Sequence, residues 1–390
     1  MEQGHSRTSP IRRRLRSLLT VLAVSLAMPG ALLLAGPAAP AAAATVWLQV
    51  DTGAAHTCAI RDDHTLWCWG ENFSGELGLG DNVDRSVPTQ VGTAADWASV
   101  SAGLSDTCAL KTNGTRWCMG WNSQGQLGLD DTSSRYLPTR WASVNWRVVS
   151  TGGEHACGIS TGRFLYCWGA NWYGELGVGD QTRRLFPAPV AAAEWSAVST
   201  GLLSGCGLLT TGARRCWGRN EHGGLGLGDT TDRLTPTGVA GEGAWTAISA
   251  GLYHSCGIAA TGRAYCWGGN SWGQLGVGDN VDRYDPAPLT SAVAWAAVVA
   301  GHTFTCGLTT DGTRYCWGNN ASGQLGLGGT TDRKSPIRLL NEGAWSQISP
   351  GYDHTCGIRT SGALFCWGLN NYGQLGVGDT TTRTRPVLVS

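Results

Sequence analysis

The sequence predicts an all-β fold, a seven-bladed β-propeller with one four-stranded blade per repeat of about 49 residues. Three observations carry this. The 14 cysteines fall in pairs ten residues apart: Cys58 and Cys68, Cys108 and Cys118, Cys157 and Cys167, Cys206 and Cys216, Cys256 and Cys266, Cys306 and Cys316, Cys356 and Cys366. The first members recur every 49 or 50 residues. Between them, short β-branched or aromatic runs alternate with turn residues every 8 to 12 positions, the pattern of an all-β sandwich, barrel or propeller. Composition narrows the class further. With 42% hydrophobic residues the chain is too apolar for a disordered segment, and its 58 glycines show no triplet period, which excludes collagen.

Each unit opens on a Trp: Trp47, Trp97, Trp146, Trp195, Trp245, Trp295 or Trp345. A short run such as Trp97-Ala98-Ser99-Val100-Ser101 gives the first strand, and a glycine such as Gly103 ends it. The second strand holds the first cysteine, as in His56-Thr57-Cys58-Ala59-Ile60. The third holds the other cysteine, as in Leu66-Trp67-Cys68-Trp69-Gly70. A glycine-rich loop follows through Asn72, Gly75, Leu77 and Asp81. Arg85 and Pro88 then lead into a last strand near Val91.

The turn between the two cysteine strands fixes their register. Gly114, Gly212, Gly262, Gly312 and Gly362 stand six residues after the first cysteine, which suits a three-residue loop closed by a left-handed glycine. Pairing Lys111 with Thr115 across that loop sets Cys108 opposite Cys118 in a non-hydrogen-bonded pair, where Cα atoms approach most closely. That spacing is compatible with a disulfide. Unit one carries His64 at the left-handed position; in unit three Gly162 comes one residue early, which leaves the form of that turn open. The same register sets Trp67 against Ala59, Trp117 against Ala109, and Tyr166, Arg215, Tyr265, Tyr315 and Phe365 against glycines 158, 207, 257, 307 and 357. A large side chain is expected to lie over each small partner.

Residues 1–44 read as a secretory signal peptide: Arg12, Arg13, Arg14 and Arg16 precede an apolar run from Ser17, Pro29-Gly30 break it, and Ala42-Ala43-Ala44 offer a cleavage site. Cleavage would remove five of the 28 basic residues and one of the 28 acidic residues, Glu2, leaving residues 45–390 at −4. The balance of 28 basic against 28 acidic residues argues against nucleic acid as the main partner, because phosphate binding needs clustered Lys and Arg. No second apolar segment is long enough to span a bilayer, and a single closed ring is expected to be monomeric. Unit one has no Pro-x-x-Val strand before it, and the chain ends on Pro386-Val387-Leu388-Val389. This strand is expected to pair into the blade begun at Trp47 and so close the ring by joining the N- and C-terminal strands.

The run Trp267-Gly268-Gly269-Asn270-Ser271-Trp272-Gly273-Gln274-Leu275-Gly276 recurs at 317–326 and 367–376, with Gly-Asp-x-x-x-Arg-x-x-Pro after it in several units. Over residues 45–390 this resembles the regulator of chromosome condensation repeat family, which implies a seven-bladed propeller. The chain departs from the pattern at Met119, at Asp130 and at His222-Gly223-Gly224-Leu225. The cysteine pair in every unit resembles a secreted bacterial branch rather than the intracellular members. The best-known of those exchanges nucleotide on a nuclear GTPase. A secreted propeller of the same class inhibits β-lactamase, so the resemblance implies protein binding outside the cell.

No constellation of catalytic residues appears: there is no nucleotide loop, nucleophile elbow or paired-carboxylate motif, so a propeller enzyme such as a lyase ranks third. Zinc would need about four ligands, whereas each unit offers two cysteines and, outside unit one with His56 and His64, at most one histidine, so intrablade disulfides are expected instead. Neither metal nor cofactor is expected. The repeated His56, His155, His254 and His354 read as structural, bonded to neighbouring backbone. Asp81 and Arg85, with their counterparts at 180/184, 229/233, 279/283 and 379/383, read as a turn held by an ion pair.

Strand parity places the Gly-x-x loop and the Asn-x-x-Gly loop at one end of the ring. These loops carry the residues that vary most between units: Phe73, Trp121, Trp172, Tyr173, Trp272 and Tyr372 in the second, and Tyr253, Phe304 and Tyr352 in the first, with acidic Asp106, Glu154 and Asp353. Tyr and Trp give large contact area at low entropy cost, so this end is the expected contact surface for an extracellular protein. The alternative is a carbohydrate of the cell wall, stacked on the same rings.

Overall fold

The computed structural model describes residues 45–142, 144–239, 241–339 and 342–390; the expected signal peptide at 1–44 lies outside the described residues. The described residues form 28 strands in seven antiparallel sheets of four, and no helix occurs among them. Blade 1 consists of β1 (Trp47–Thr52), β2 (His56–Arg61), β3 (Leu66–Gly70) and β4 (Arg85–Gln90). The same four strands recur in blades opening at Trp97, Trp146, Trp195, Trp245, Trp295 and Trp345.

The cysteine register is the expected one. Every first cysteine faces its partner ten residues on, with Cα atoms 4.1 Å apart, and all seven pairs are disulfide-bonded. No cysteine is free. Lys111 N–H donates to Thr115 O at 3.0 Å and Gly114 N–H to Lys111 O at 2.8 Å, closing the turn, with Gly114 at φ 79°. Unit three makes the same turn, because Arg163 takes the left-handed position at φ 68° and donates to Ser160 O. His64 does so in unit one at φ 60°.

The pairing of large with small residues holds in register, but a different ring covers the glycines. A Cβ at Gly158 would sit 2.7 Å from the Trp146 ring, and one at Gly257 2.8 Å from the Trp245 ring. The opening Trp of the blade therefore fills this space, and the residue opposite the glycine, such as Tyr166, meets that Trp edge-on at 5.7 Å.

Ring closure differs from the sequence expectation. The C-terminal strand Arg383–Leu388 pairs with Leu364–Gly368 of its own repeat, setting Val387 opposite Cys366. Blade 1 has its own fourth strand, with Thr89 opposite Cys68. The cause is local: the Asn370 side chain accepts from Leu375 N–H and donates to Asp379, and this knot returns the chain to the free edge of the strand it has just left. No N- to C-terminal strand exchange is needed, because the bonds that join any two neighbouring blades also join the last to the first. Trp47 N–H donates to Gly362 O at 2.9 Å, as Trp97 N–H does to His64 O at 3.0 Å. Trp69 Nε1–H donates to Gln374 O at 2.9 Å, as Trp168 Nε1–H does to Gln126 O at 2.8 Å. Trp47, Val50 and Trp69 share one apolar cluster with Ile358, Leu375 and Val389.

At the axis, a single glycine from each blade (Gly53, Gly103, Gly152, Gly201, Gly251, Gly301 and Gly351) lies against the carbonyl of the next. A Cβ on Gly103 would stand 2.8 Å from Gly152 O, and one on Gly301 2.9 Å from Gly351 O. At four of these junctions the residue after the glycine bonds across the ring; Leu104 N–H donates to Gly152 O and His302 N–H to Gly351 O, each at 3.1 Å. The wheel closes this tightly only without side chains here.

Candidate functional site

The two variable loops do share one end. Glu71 N–H donates to Ala55 O at 2.9 Å, and the equivalent bond recurs in the other six blades, for example from Gly269 to Tyr253. Under this end lies a polar scaffold. Asn72 Nδ2–H donates to Asp81 O at 3.0 Å while its Oδ1 accepts from Leu77 N–H. Asp81 accepts from Val83 N–H and from Arg85 at 2.6 Å, and these bonds hold its carboxyl below the usual range. Unit two builds the same pair from Asp131 and Arg135 at 2.5 Å; its in-phase spacing made it visible in the sequence, where Asp130 beside it drew attention instead.

Three of the four histidines, His56, His254 and His354, bridge blades through a hydroxyl. His254 Nε2 lies 2.9 Å from Thr305 Oγ1 of the next blade, and Thr305 Oγ1–H donates to Gln274 O at 2.7 Å. The hydroxyl has one proton, so the ring donates through Nε2–H. His56 with Thr107, and His354 with Thr57, repeat this relay. Burial lowers the pKa of His56 to about 4, and those of His254 and His354 to about 3. Gly205 stands where the neighbouring blades carry the hydroxyl, and the buried Nε2 of His155 has no partner.

The aromatic candidates divide. Phe73 is 77% exposed, Trp172 49%, Trp272 44%, Tyr372 42% and Tyr253 36%. Trp121, Tyr173 and Tyr352 are half-buried. Phe304 is a correction: it occupies the histidine position of its blade and is fully buried with Cys306, Leu308 and Trp367, so it belongs to the core. Asp106 occupies the same position and is buried too, its carboxyl pushed well up by burial and then by Glu76. A residue two before the first cysteine points between blades, not into solvent.

Unit four has no Phe, Trp or Tyr in its second loop, and its polar residues there form no motif that marks a site. The Arg219 guanidinium lies 4.8 Å over Tyr173 and 6.0 Å from the Tyr253 ring, and it pairs with Glu221. His222 meets Tyr253 edge-on at 4.8 Å and contacts Asp282 at 3.2 Å. His302 stacks on Tyr352 at 3.7 Å; burial lowers the His302 pKa to about 4 and raises that of Tyr352 to about 12. His302 and Tyr352 also line the mouth of an axial depression of about 100 Å³, with Leu104, Leu202 and Leu252. Five acidic groups of this end keep their protons to higher pH than usual. Burial pushes Glu76 up to about 7, and raises Glu71, Glu154, Glu175 and Asp353. The arrangement offers aromatic faces, one stacked cation and acids; among the described residues no group of three or more His, Cys, Asp or Glu could hold a metal ion.

Comparison with known proteins gives consistent answers. The RCC1-like domain profile matches residues 33–295, and regulator of chromosome condensation (RCC1) repeat profiles match 295–324, 345–374, 311–358 and 361–390. The crystal structure of human WBSCR16 superposes with a TM-score of 0.76 at 22% identity, covering 84% of this chain and 94% of that one. The crystal structure of Prp20p from Saccharomyces cerevisiae, described with its binding to Gsp1p and histones, gives 0.75 at 19% identity, covering 88% and 87%. In sequence, Ras guanine nucleotide exchange factor C of Dictyostelium discoideum is 48% identical over 42 residues, which is 11% of this chain and 3% of that protein's length. These identities carry the architecture; the site residues are this chain's own.

Proposed function

Because the chain belongs to the regulator of chromosome condensation (RCC1) repeat family, we propose that it is a secreted, disulfide-stapled binding module that grips another protein through the loop end of the ring. The observation that carries this reading is the exposure of Phe73, Trp172, Trp272, Tyr372 and Tyr253 on one end, while the aromatic rings between blades are packed. Large aromatic side chains left in solvent around a rigid ring are the composition of interface hot spots. A propeller of this fold in yeast is described with binding to Gsp1p and histones, which supports a protein as partner. Seven disulfides are compatible with an oxidising compartment and with residues 1–44 acting as an export signal. No catalytic role is part of this reading.

The test is capture from culture medium by the purified protein, compared with the triple variant Trp172→Ala/Trp272→Ala/Tyr372→Ala and with Phe164→Ala at the opposite, hairpin end. A stoichiometric protein retained by the native chain and by Phe164→Ala, and lost by the triple variant, supports the proposal. Retention only on peptidoglycan would replace it with the carbohydrate reading. Capture unaffected by the triple variant would show that another surface is used.

A further inference from the structure

Blade 4 departs from the other six at the residue before the loop leucine. Elsewhere that residue is Glu76, Gln126, Glu175, Gln274, Gln324 or Gln374, each at most 3% exposed. In all six a side-chain oxygen accepts from the backbone N–H two residues earlier, at 2.8 to 3.0 Å. Blade 4 has Gly224 at this position. Its carbonyl keeps the structural contacts of the position, accepting from Ser255 Oγ–H at 2.9 Å and from Trp267 Nε1–H at 3.0 Å. Only the side chain is missing, and with it the acceptor for His222 N–H, the donor in phase with the six. Among the described residues no other group accepts from that N–H.

The place left by that side chain is not filled by a neighbour. A Cβ added to Gly224 would meet first the backbone of Tyr253 and His254, the third nearest atom already 4.0 Å away. A notch of about 10 Å³ lies there, lined by Gly224, Arg219, Glu221, His222 and Tyr253 among others. That volume holds one water-sized group, the size of the single oxygen that the other blades supply. Glu221 and Tyr253 are exposed and Arg219 and His222 partly so, which opens the notch toward the loop end. Arg219 pairs with Glu221 and lies over Tyr173, and the His222 ring contacts Asp282.

We propose that this notch receives a carboxamide side chain, glutamine or asparagine, from the protein gripped by the loop end, its oxygen accepting from His222 N–H. The inference rests on the reading of the loop end as a protein-binding surface. A partner that covers this end must satisfy the His222 N–H or leave it buried and unpaired. Four of the six counterparts are glutamine, so the chain itself closes this bond most often with a carboxamide. The two glutamates show why a neutral group suits the place: burial raises the Glu175 carboxyl and pushes that of Glu76 up to about 7. A partner carboxylate would add a further negative charge beside Glu221 and Asp282, where the Arg219 guanidinium is already paired. A carboxamide adds none, and its N–H groups suit Glu221 at the mouth. Tyr173 and Tyr253, both near Arg219, flank the notch, and such a rim excludes water from a central hydrogen bond.

The test uses N-acetylglutamine methylamide as a probe, titrated into the native protein and read from the amide resonance of His222. A saturable shift is expected at tens of millimolar probe, at least fivefold weaker for the glutamate counterpart and absent in Gly224→Gln. That variant fills the notch as blades 2, 5, 6 and 7 do. Its His222 amide should exchange at least tenfold more slowly than in the native chain, while the thermal midpoint stays equal or rises. Gly224→Gln should also weaken retention of the protein captured from culture medium at least tenfold. A glutamate probe binding as tightly as the glutamine one overturns the carboxamide assignment. A shift that survives Gly224→Gln, or none at tens of millimolar, overturns the site. Capture lost in the triple aromatic variant yet unchanged in Gly224→Gln keeps the binding surface and overturns this inference. A saturable probe shift with no protein captured removes the protein partner and keeps the notch as a carboxamide site.

Discussion

The inner ends of the blades and the loops above them differ in what they permit. At the axis all seven blades place a glycine against the next carbonyl, and each third strand but one places a buried Trp under the loop of the preceding blade. The exception, Met119, loses that indole bond, and Thr107 Oγ1–H still donates to Glu76 O at 2.9 Å. A short distance away, the position after the loop asparagine is Phe73, Ser123, Trp172, Glu221, Ser271, Ala321 or Asn371. Closing a ring requires every junction to match every other, so one deviant junction strains the whole. A loop resting on that ring answers only to what touches it. The invariant positions therefore report assembly, and the variable ones are where a partner can be specified.

Five perturbations sharpen that contrast, in descending order of expected effect. Gly351→Val should be the most damaging. Even a Cβ at Gly351 would sit 2.5 Å from Gly53 O, and overpacking a closed ring should cost about 3 kcal/mol or more, read as a fall in the urea midpoint or as failure to fold. Removing one staple with Cys256→Ala/Cys266→Ala should cost about 2 to 3 kcal/mol by the same measurement, because the unfolded chain regains the freedom of a short loop.

Glu76→Gln should act through pH. The buried carboxyl has its pKa raised from 4.5 to about 7, so the folded chain holds a proton that the unfolded chain has released. Its stability contribution is present in full below pH 4.5 and is lost as pH rises through 7. Glutamine stands at this position in blades 2, 5, 6 and 7 and carries no such penalty. The variant should match the parent near pH 4.5 and exceed it by about 2 kcal/mol at pH 8, measured as thermal midpoints across the range. Thr305→Val should cost about 1 kcal/mol by breaking the relay that His254 feeds, and its acid limb should move, because His254 is held neutral with a pKa near 3. The neutral form favours folding above pH 6.5, and that contribution is lost as pH falls toward 3. Last, Trp172→Ala, Trp272→Ala and Tyr372→Ala should each change stability by no more than about 0.5 kcal/mol, since half-exposed loop rings hold little of the wheel together.

Much of this was legible in the chain before its folding was seen, and the exceptions have physical reasons. The cysteine period fixes blade number, and the turn glycine fixes the register that sets Cys108 opposite Cys118. Arg163 shows the limit of such reading: a favourable junction outweighs the cost of a left-handed side chain, so the turn keeps its form without glycine. Ring closure was misread because a missing strand before Trp47 looks like a vacancy, whereas the Asn knot already returns each fourth strand to its own blade. Phe304 was misplaced because loop and strand differ by one residue at that point, and one residue turns a side chain from solvent to the blade junction.

Hydrogen exchange of the captured complex locates the contact. Partner binding should protect amides of the loop-end segments 71–76, 171–175, 271–274 and 371–374, and leave the hairpin turns at 62–65 and 161–164 exchanging as in the free protein. Protection of the hairpin turns, with the loop end unchanged, would contradict it.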